Sequence, residues 1–314
     1  MIVHGFAGIG WTEALAARGL RDIGLELAWA ACRTRIAAGH ATINCDVTQY
    51  PTDPFKGRTT RKIDSPPCPP FSKSGNGKGA HDLPLIQQAI DDLAQGRDTR
   101  AGLGAACLDP RSILTAEPMR WHHDLRPEWI AMEQVPSVLP VWQQYADILR
   151  RWGYSTAAGV LDAADYGLGQ HRKRAVLLAS RVREIQLPAP THGGPGQPPL
   201  TSMADTVGWG YTRRPAPTVT GGGTSTGGAE PFGNGTRRAM RAAMGTALWT
   251  ARPDGGTRPS IPDCARLQGF RPDLQFYGRQ GQQYLIVGNA VPPPLADAAL
   301  AAVGAYTEQQ LAAA

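Results

Sequence analysis

Five cysteines stand in this chain, at 32, 45, 68, 107 and 264, and only one has neighbours that would aim its sulfur. Cys68 lies in Ser65-Pro66-Pro67-Cys68-Pro69-Pro70-Phe71-Ser72, where proline rings on both sides restrict the backbone. A thiol with an ordinary pKa near 8.5 is only about a few per cent ionised at neutral pH, so a nucleophilic role needs help from its surroundings. Proline density by itself also suits a rigid linker or a ligand for a partner domain. The odd cysteine count and the lack of any CxxC pair argue against a disulfide framework and against a structural zinc site, so no metal is expected. Cys32, Cys45 and Cys107 lie among Ala, Ile, Asn and Leu and read as small buried hydrophobes.

A second group of residues could hold a nucleoside. Phe6-Ala7-Gly8-Ile9-Gly10 sits where a first strand meets a first helix, and glycine there lets a ligand approach the backbone. The third glycine of a dinucleotide fingerprint is absent, because position 13 is Glu13. Glu26 ends the next strand and Asp46 follows the one after. In an open parallel sheet, ligands bind beyond the carboxyl ends of the strands. Gly, Glu and Asp at three such ends suit a nucleoside without a pyrophosphate, S-adenosylmethionine being one.

The elements that must position these groups follow from the pattern. Ile2-Val3, Asp22 to Glu26 and Ala41 to Asn44 read as strands, with helices at about Thr12 to Arg18 and Ala28 to Ala38 between them. That β-α-β-α-β order implies an α/β fold with a doubly wound, Rossmann-like parallel sheet. Arg61 to Asp64 is a strand by position, though unusually polar. Trp129 to Met132 is a compact apolar strand, and Val138, Val141, Trp142, Tyr145, Ile148, Leu149 and Trp152 mark one helix face at spacings of three and four. Ser155 to Leu161 and Ala175 to Ser180 add strands. From about 184 to 262 the chain is rich in Gly, Pro and Thr. Trp209, Tyr211, Val219, Met240, Met244, Leu248 and Trp249 could still give that segment a small core, so a compact, loop-rich lobe is expected there. A final Ala-rich helix follows Pro294.

At 314 residues, 42% hydrophobic and 18% charged, the chain suits one large core plus a smaller lobe. No run is expected to span a membrane, and a cytoplasmic location is the expectation. The net charge of +6 favours a polyanionic partner only weakly.

Taken together, these stretches resemble the DNA cytosine carbon-5 methyltransferases. The proline-cysteine stretch 65–72 resembles that family's nucleophile loop. The other signature blocks occur in the family's order: Phe6 to Gly10, Met132-Glu133-Gln134-Val135, Gln170-His171-Arg172-Lys173-Arg174, Arg266-Leu267-Gln268-Gly269-Phe270, and Val287 to Pro293. The resemblance implies that the Cys68 thiolate adds to carbon 6 of a flipped-out cytosine, with S-adenosylmethionine as methyl donor. It implies that Glu133 contacts ring nitrogen 3 and the amino group, that Arg174 stands beside the base, and that Arg172 and Gln170 converge with it. It places Phe6, Ala7, Gly8, Gly10, Glu26, Leu27, Asp46, Val47, Pro66, Asn289 and Ala290 around the cofactor. Asn289 can reach the first glycine loop only if the C-terminal helix folds back beside the N-terminal strand.

By the same resemblance, residues 1–183 form a catalytic domain completed by 263–314, and residues 184–262 a target-recognition domain. Double-stranded DNA is the implied partner. Ser72, Lys73 and Lys78 would close on it near phosphates, and Arg213, Arg214, Arg237 and Arg238 would face it from the lobe. A monomer is expected, and a cognate restriction nuclease is a possible companion. An idle DNA-binding relative and an RNA cytosine methyltransferase are the alternatives. The chain departs from the family at His4 and Gly5, at Pro69 after the nucleophile, at Gln134 in place of Asn, and at Arg271 in place of Pro.

Overall fold

The computed structural model describes residues 1–67, 81–221 and 231–312. The chain begins with strand β1 (Ile2–Gly5), helix α1 (Gly10–Ala17), β2 (Asp22–Glu26), α2 (Trp29–Ala37), β3 (Ala41–Asn44) and β4 (Arg61–Asp64), as the pattern predicts. Helices α3 (Leu83–Ala94), α4 (Arg100–Ala106) and α5 (Glu117–Leu125) come in addition to the expected elements. Then follow β5 (Trp129–Gln134), α6 (Leu139–Arg151), β6 (Ser155–Asp162) and β7 (Lys173–Ser180). The smaller lobe holds α7 (Met203–Val207), β8 (Gly210–Tyr211), α8 (Asn234–Ala243) and β9 (Trp249–Thr250). The chain closes with α9 (Ile261–Leu267), α10 (Gln280–Asn289), α11 (Pro293–Val303) and α12 (Glu308–Ala312).

The main sheet has seven strands in the order β3-β2-β1-β4-β5-β7-β6. Strands β1 to β5 pair in parallel, but β7 is antiparallel to both β5 and β6. The expected parallel sheet is thus corrected at one strand. Only residues 163–172 join β6 to β7, including a 3-10 turn at Ala163–Tyr166. A parallel return needs a crossover of a dozen or more residues, so this connection can only reverse the chain.

Helices α1, α2 and α11 cover one face and α3, α5 and α6 the other. On the first face Trp11, Leu15, Leu295, Ala299 and Leu300 pack against Ile63, Ala131, Val176 and Leu178. On the second face Ile86, Ile90, Met119, Trp142, Tyr145 and Leu149 pack against Ile130, Met132, Ala175 and Leu177. Alternation along each strand divides the two sets, as a sheet covered on both sides requires. The C-terminal helix does fold back: a Cβ added to Gly10 would stand 1.8 Å from the Val291 carbonyl oxygen. Only glycine permits that approach of the first helix to the chain's end. Residues 280–303 are long and apolar enough to cross a membrane by composition, contrary to expectation. They are, however, two helices broken before Pro292-Pro293-Pro294, and 56% of the apolar window is buried against the protein.

The lobe's core contains Trp209, Tyr211, Val219, Met240 and Trp249 as expected, with Met203, Phe232, Cys264, Leu267, Tyr284 and Val287 added. The last four come from α9 and α10, so this core is shared with the C-terminal segment. Leu248, expected inside, is 49% exposed, because it precedes the strand residue Trp249 whose ring turns inward onto Tyr211 at 5.2 Å. Cys45, expected inside, is only half-buried.

The polar strand β4 has a physical explanation. Lys62 and Asp64 are both fully buried on the α5 face and form an ion pair, and His122 of α5 adds a 3.2 Å contact to the other Asp64 oxygen. Burial pushes the Lys62 amine below its ordinary range, while Asp64 opposes that shift. Removing one member of a buried pair strands the other. Asp64→Ala should therefore lower unfolding stability by about 3–5 kcal/mol, read from urea denaturation. The pair Lys62→Met with Asp64→Leu should recover most of the loss.

Candidate active site

Glu133 and Gln134 end β5, one step beyond the last β4 partner, since Asp64 pairs with Met132. Glu133 lies opposite Val176 of β7, and Arg174 lies two residues before Val176 on the same face. The Arg174 Nε is 2.8 Å from Glu133 Oε1, and Glu133 is only 5% exposed. Burial pushes the Glu133 carboxyl above the usual carboxylate range, while Arg174, Arg172 and a hydrogen bond from Ser65 pull it back down. Burial and the neighbouring charges thus act on the Glu133 proton in opposite directions, with burial the larger.

Gln134 braces the proline loop. Its Nε2 donates to the Pro66 carbonyl at 2.6 Å, and its Oε1 accepts the Val135 backbone N–H at 2.5 Å. The longer side chain therefore still ties the loop before Cys68 to β5. Cys68 itself, with Pro69, Ser72, Lys73 and Lys78, lies outside the described residues. None of the four described thiols suits a nucleophile: burial raises Cys32, and pushes Cys45 and Cys107 up to about 11 and Cys264 up to about 12.

Arg172 stays near enough for its charge to act on Glu133, but its guanidinium and the Gln170 amide are bonded to other segments. Both are buried. Arg172 donates to the carbonyls of Val219 at 2.8 Å, Gly288 at 2.7 Å and Ala290 at 3.0 Å. Gln170 donates to Leu267 O at 2.8 Å and accepts the Val219 N–H at 2.5 Å. Strand alternation gives Arg172 the parity of Arg174, but carbonyls from the lobe and the C-terminal segment capture its side chain. These two residues hold the site's parts together.

The glycine turn lies beside this site at the end of β1. Phe6 and Gly8 both have positive φ, 54° and 49°, and a Cβ at Gly8 would meet nothing within 4 Å. Glu26 Oε2 accepts the Gly8 N–H at 2.9 Å and Oε1 the Ala28 N–H at 2.8 Å, so this carboxylate shapes both turns. Leu27 is 66% exposed next to it, as is Trp29 at 62%. Ala7 is buried and donates to Leu25 O at 3.1 Å. Asp46 is exposed and caps its own turn through Thr48. Val47 points instead into a cluster with Val3, Phe55 and Trp121. Asn289 is exposed at the end of α10, near Gly221 of the lobe, and Ala290 is buried with its carbonyl on Arg172. An open glycine turn, a strand-end carboxylate and exposed apolar side chains fit an adenosine-bearing cofactor.

The position-13 acid has a structural use. Glu13 meets His40 at 2.8 Å and Arg271 at 2.8 Å, joining α1 to the segments after α2 and α9. His4 is likewise paired with Asp22 at 2.9 Å, and Arg35 adds to that buried group at 3.2 Å. In the lobe, Arg213, Arg214 and Arg238 are exposed and Arg237 is half-buried. The Arg214 guanidinium stacks 3.7 Å from the Tyr211 ring centroid. Among the described residues no group of three or more metal-ligating side chains occurs.

An open α/β sheet with one reversed strand, a glycine turn after β1 and an acid after β2 defines a Rossmann-like methyltransferase fold. Residues 100–203 and 223–305 match the family described as C-5 cytosine-specific DNA methylase, and the chain belongs to that family. It is 30% identical over 258 residues to the type II methyltransferase M.NaeI of Lentzea aerocolonigenes, covering 74% of this chain and 55% of that protein. It is 27% identical to M.NgoMIV of Neisseria gonorrhoeae, covering 74% of this chain and 73% of that one. The chain thus spans about half the length of M.NaeI. In fold it is similar to the Entamoeba histolytica methyltransferase EhMeth, with a TM-score of 0.63 at 13% identity over 96% of this chain and 97% of that one. A putative DNA modification methyltransferase encoded within an E. coli prophage gives a TM-score of 0.57 at 15% identity, covering 95% and 97%.

Two residues that sequence reading did not assign to the site stand at its centre. Ser65 contacts Glu133, and Trp11 donates to the Ser65 hydroxyl at 3.0 Å. Arg172→Gln should cost about 3 kcal/mol, because it leaves buried carbonyls without their charged donor. The loss should appear in urea denaturation and as faster proteolysis within 184–262.

Proposed function

We propose that this protein transfers a methyl group to carbon 5 of a cytosine flipped out of double-stranded DNA. The observation that carries the reading is the buried Glu133–Arg174 pair at the sheet edge, tied through Ser65, Pro66 and Gln134 to the loop that leads into Cys68. S-adenosylmethionine, held by Gly8, Gly10, Glu26 and Leu27 with Phe6, Asp46 and Asn289 at the rim, supplies the methyl group when bound.

The Cys68 thiolate forms a bond to carbon 6, and the ring electrons move toward nitrogen 3 and carbon 5. Glu133, its proton affinity raised by burial, donates a hydrogen bond at nitrogen 3 and accepts one from the amino group. Arg174 holds that carboxyl and adds positive charge beside the ring. After methylation the carbon-5 proton leaves to a base, the thiolate is expelled and the ring regains its double bond. Extruding the base costs roughly a few kcal/mol, which contacts to the DNA backbone must offset. Ser72, Lys73 and Lys78 are assigned to that closure. Arg213, Arg214, Arg237 and Arg238 are assigned to the duplex, where arginine can pair bidentately with guanine.

Incubating the protein with labelled S-adenosylmethionine and DNA should give methyl incorporation that Cys68→Ala abolishes, at least a thousandfold down, while DNA binding persists. Retained transfer in that variant would sink the mechanism. Expression in a methylation-free host, followed by genome-wide mapping of 5-methylcytosine, should show one enriched sequence motif. Competition between duplex DNA and transfer RNA should favour the duplex. Gln134→Ala should lower kcat more than it raises KM, since it loosens the loop and not the DNA contacts.

A further inference from the structure

Trp11 stands in the first turn of α1 and is 1% exposed, yet its indole nitrogen does not point into the core. It donates to Ser65 Oγ at 3.0 Å, across 54 residues of sequence. An indole N–H is a donor only, so the Ser65 oxygen is the acceptor in that contact. The single proton of the hydroxyl is then left for a second partner, and the carboxylate of Glu133 is that partner. On its other side Glu133 is held by Arg174 Nε at 2.8 Å. The chain of donors therefore has one direction, from Trp11 through Ser65 to Glu133.

We propose that Trp11 and Ser65 are positioning residues that fix the orientation and the proton affinity of Glu133 for the methylation of cytosine. The inference rests on the reading of Glu133 as the group facing ring nitrogen 3. Electron flow into the ring requires a proton or a strong hydrogen bond at that nitrogen, so activity falls when Glu133 loses its proton. Burial favours the acid form; the polarised Ser65 hydroxyl favours the carboxylate. Trp11 sharpens that opposition, because a hydroxyl that already accepts a hydrogen bond is a better donor. It also removes the alternative rotamers in which the hydroxyl would turn away from Glu133.

The test is the pH profile of kcat/KM for methyl transfer to a duplex containing the mapped site. Ser65→Ala removes a bond to the carboxylate, so the proton is held to higher pH. The alkaline limb should move up by about one pH unit. Trp11→Phe keeps most of the ring volume and loses the donor, and should move the limb in the same direction by less. Ser65→Thr, which retains the hydroxyl, should restore the wild-type position. The double variant Trp11→Phe with Ser65→Ala should match Ser65→Ala alone, because Trp11 acts through Ser65. Glu133→Gln should erase the limb. Thermal unfolding of each variant separates lost folding from altered titration. If both single variants keep the wild-type limb, or if their shifts add, the inference is overturned. If the wild-type protein transfers no methyl group to cytosine, it is the assignment of the site that fails.

Discussion

Everything at the open end of this sheet depends on one guanidinium. Arg172 takes the carbonyls of Val219, Gly288 and Ala290, which lie 47, 116 and 118 residues further along the chain. The loop at Val219 and the carboxyl end of α10 with the turn after it are thereby fixed against the start of β7. Gln170 supports the same junction through Val219 and Leu267. The lobe, segment 288–290 and the strand that carries Arg174 meet at this cluster. Such an arrangement favours arginine over lysine, since a planar fork reaches several acceptors at once.

The active end also shows how buried charge is handled. Glu133 is balanced between desolvation and two guanidiniums, and so stays poised. Asp22 is different: burial opposes its ionisation, but hydrogen bonding to His4 and the charge of Arg35 hold it well below the usual carboxylate range. It stays ionised and structural. Glu13, hydrogen-bonded to His40 and Arg271, is likewise held below the usual range against the opposing effect of burial. Burial thus acts on all three acids, and at Glu133 it outweighs the charges around it, whereas at Asp22 and Glu13 the partners win.

Much of this was legible in the residues alone. Alternating short strands and helices fixed the α/β class, and strand ends carrying Gly8, Glu26 and Glu133 marked the open edge. Arg174 was placed beside the base by the family resemblance, and its ion pair with Glu133 comes from the register of β5 and β7. What could not be read was any contact decided by long-range carbonyls. Arg172 has the parity of Arg174, yet its hydrogen bonds go to segments more than forty positions distant. Trp11 and Ser65 belong to separate blocks, and nothing in either stretch announces that an indole will meet a hydroxyl. The reversal of β7 was visible in principle, since residues 163–172 are too few for a crossover. The polar β4 looked unlike a strand because its acid and its lysine are each other's partner.

The approach of Gly10 to Val291 has a consequence for synthesis. The core that holds Trp11 and Leu15 is completed by Leu295, Ala296, Ala299, Leu300 and Val303. A chain leaving the ribosome amino-end first therefore exposes the inner face of α1 until α11, more than 270 residues later, has been made. Contacts that join both ends carry a large loop-closure cost and form late in folding. The share of apolar cover that α11 supplies is absent until then, and in that interval the exposed face is open to aggregation and to chaperones.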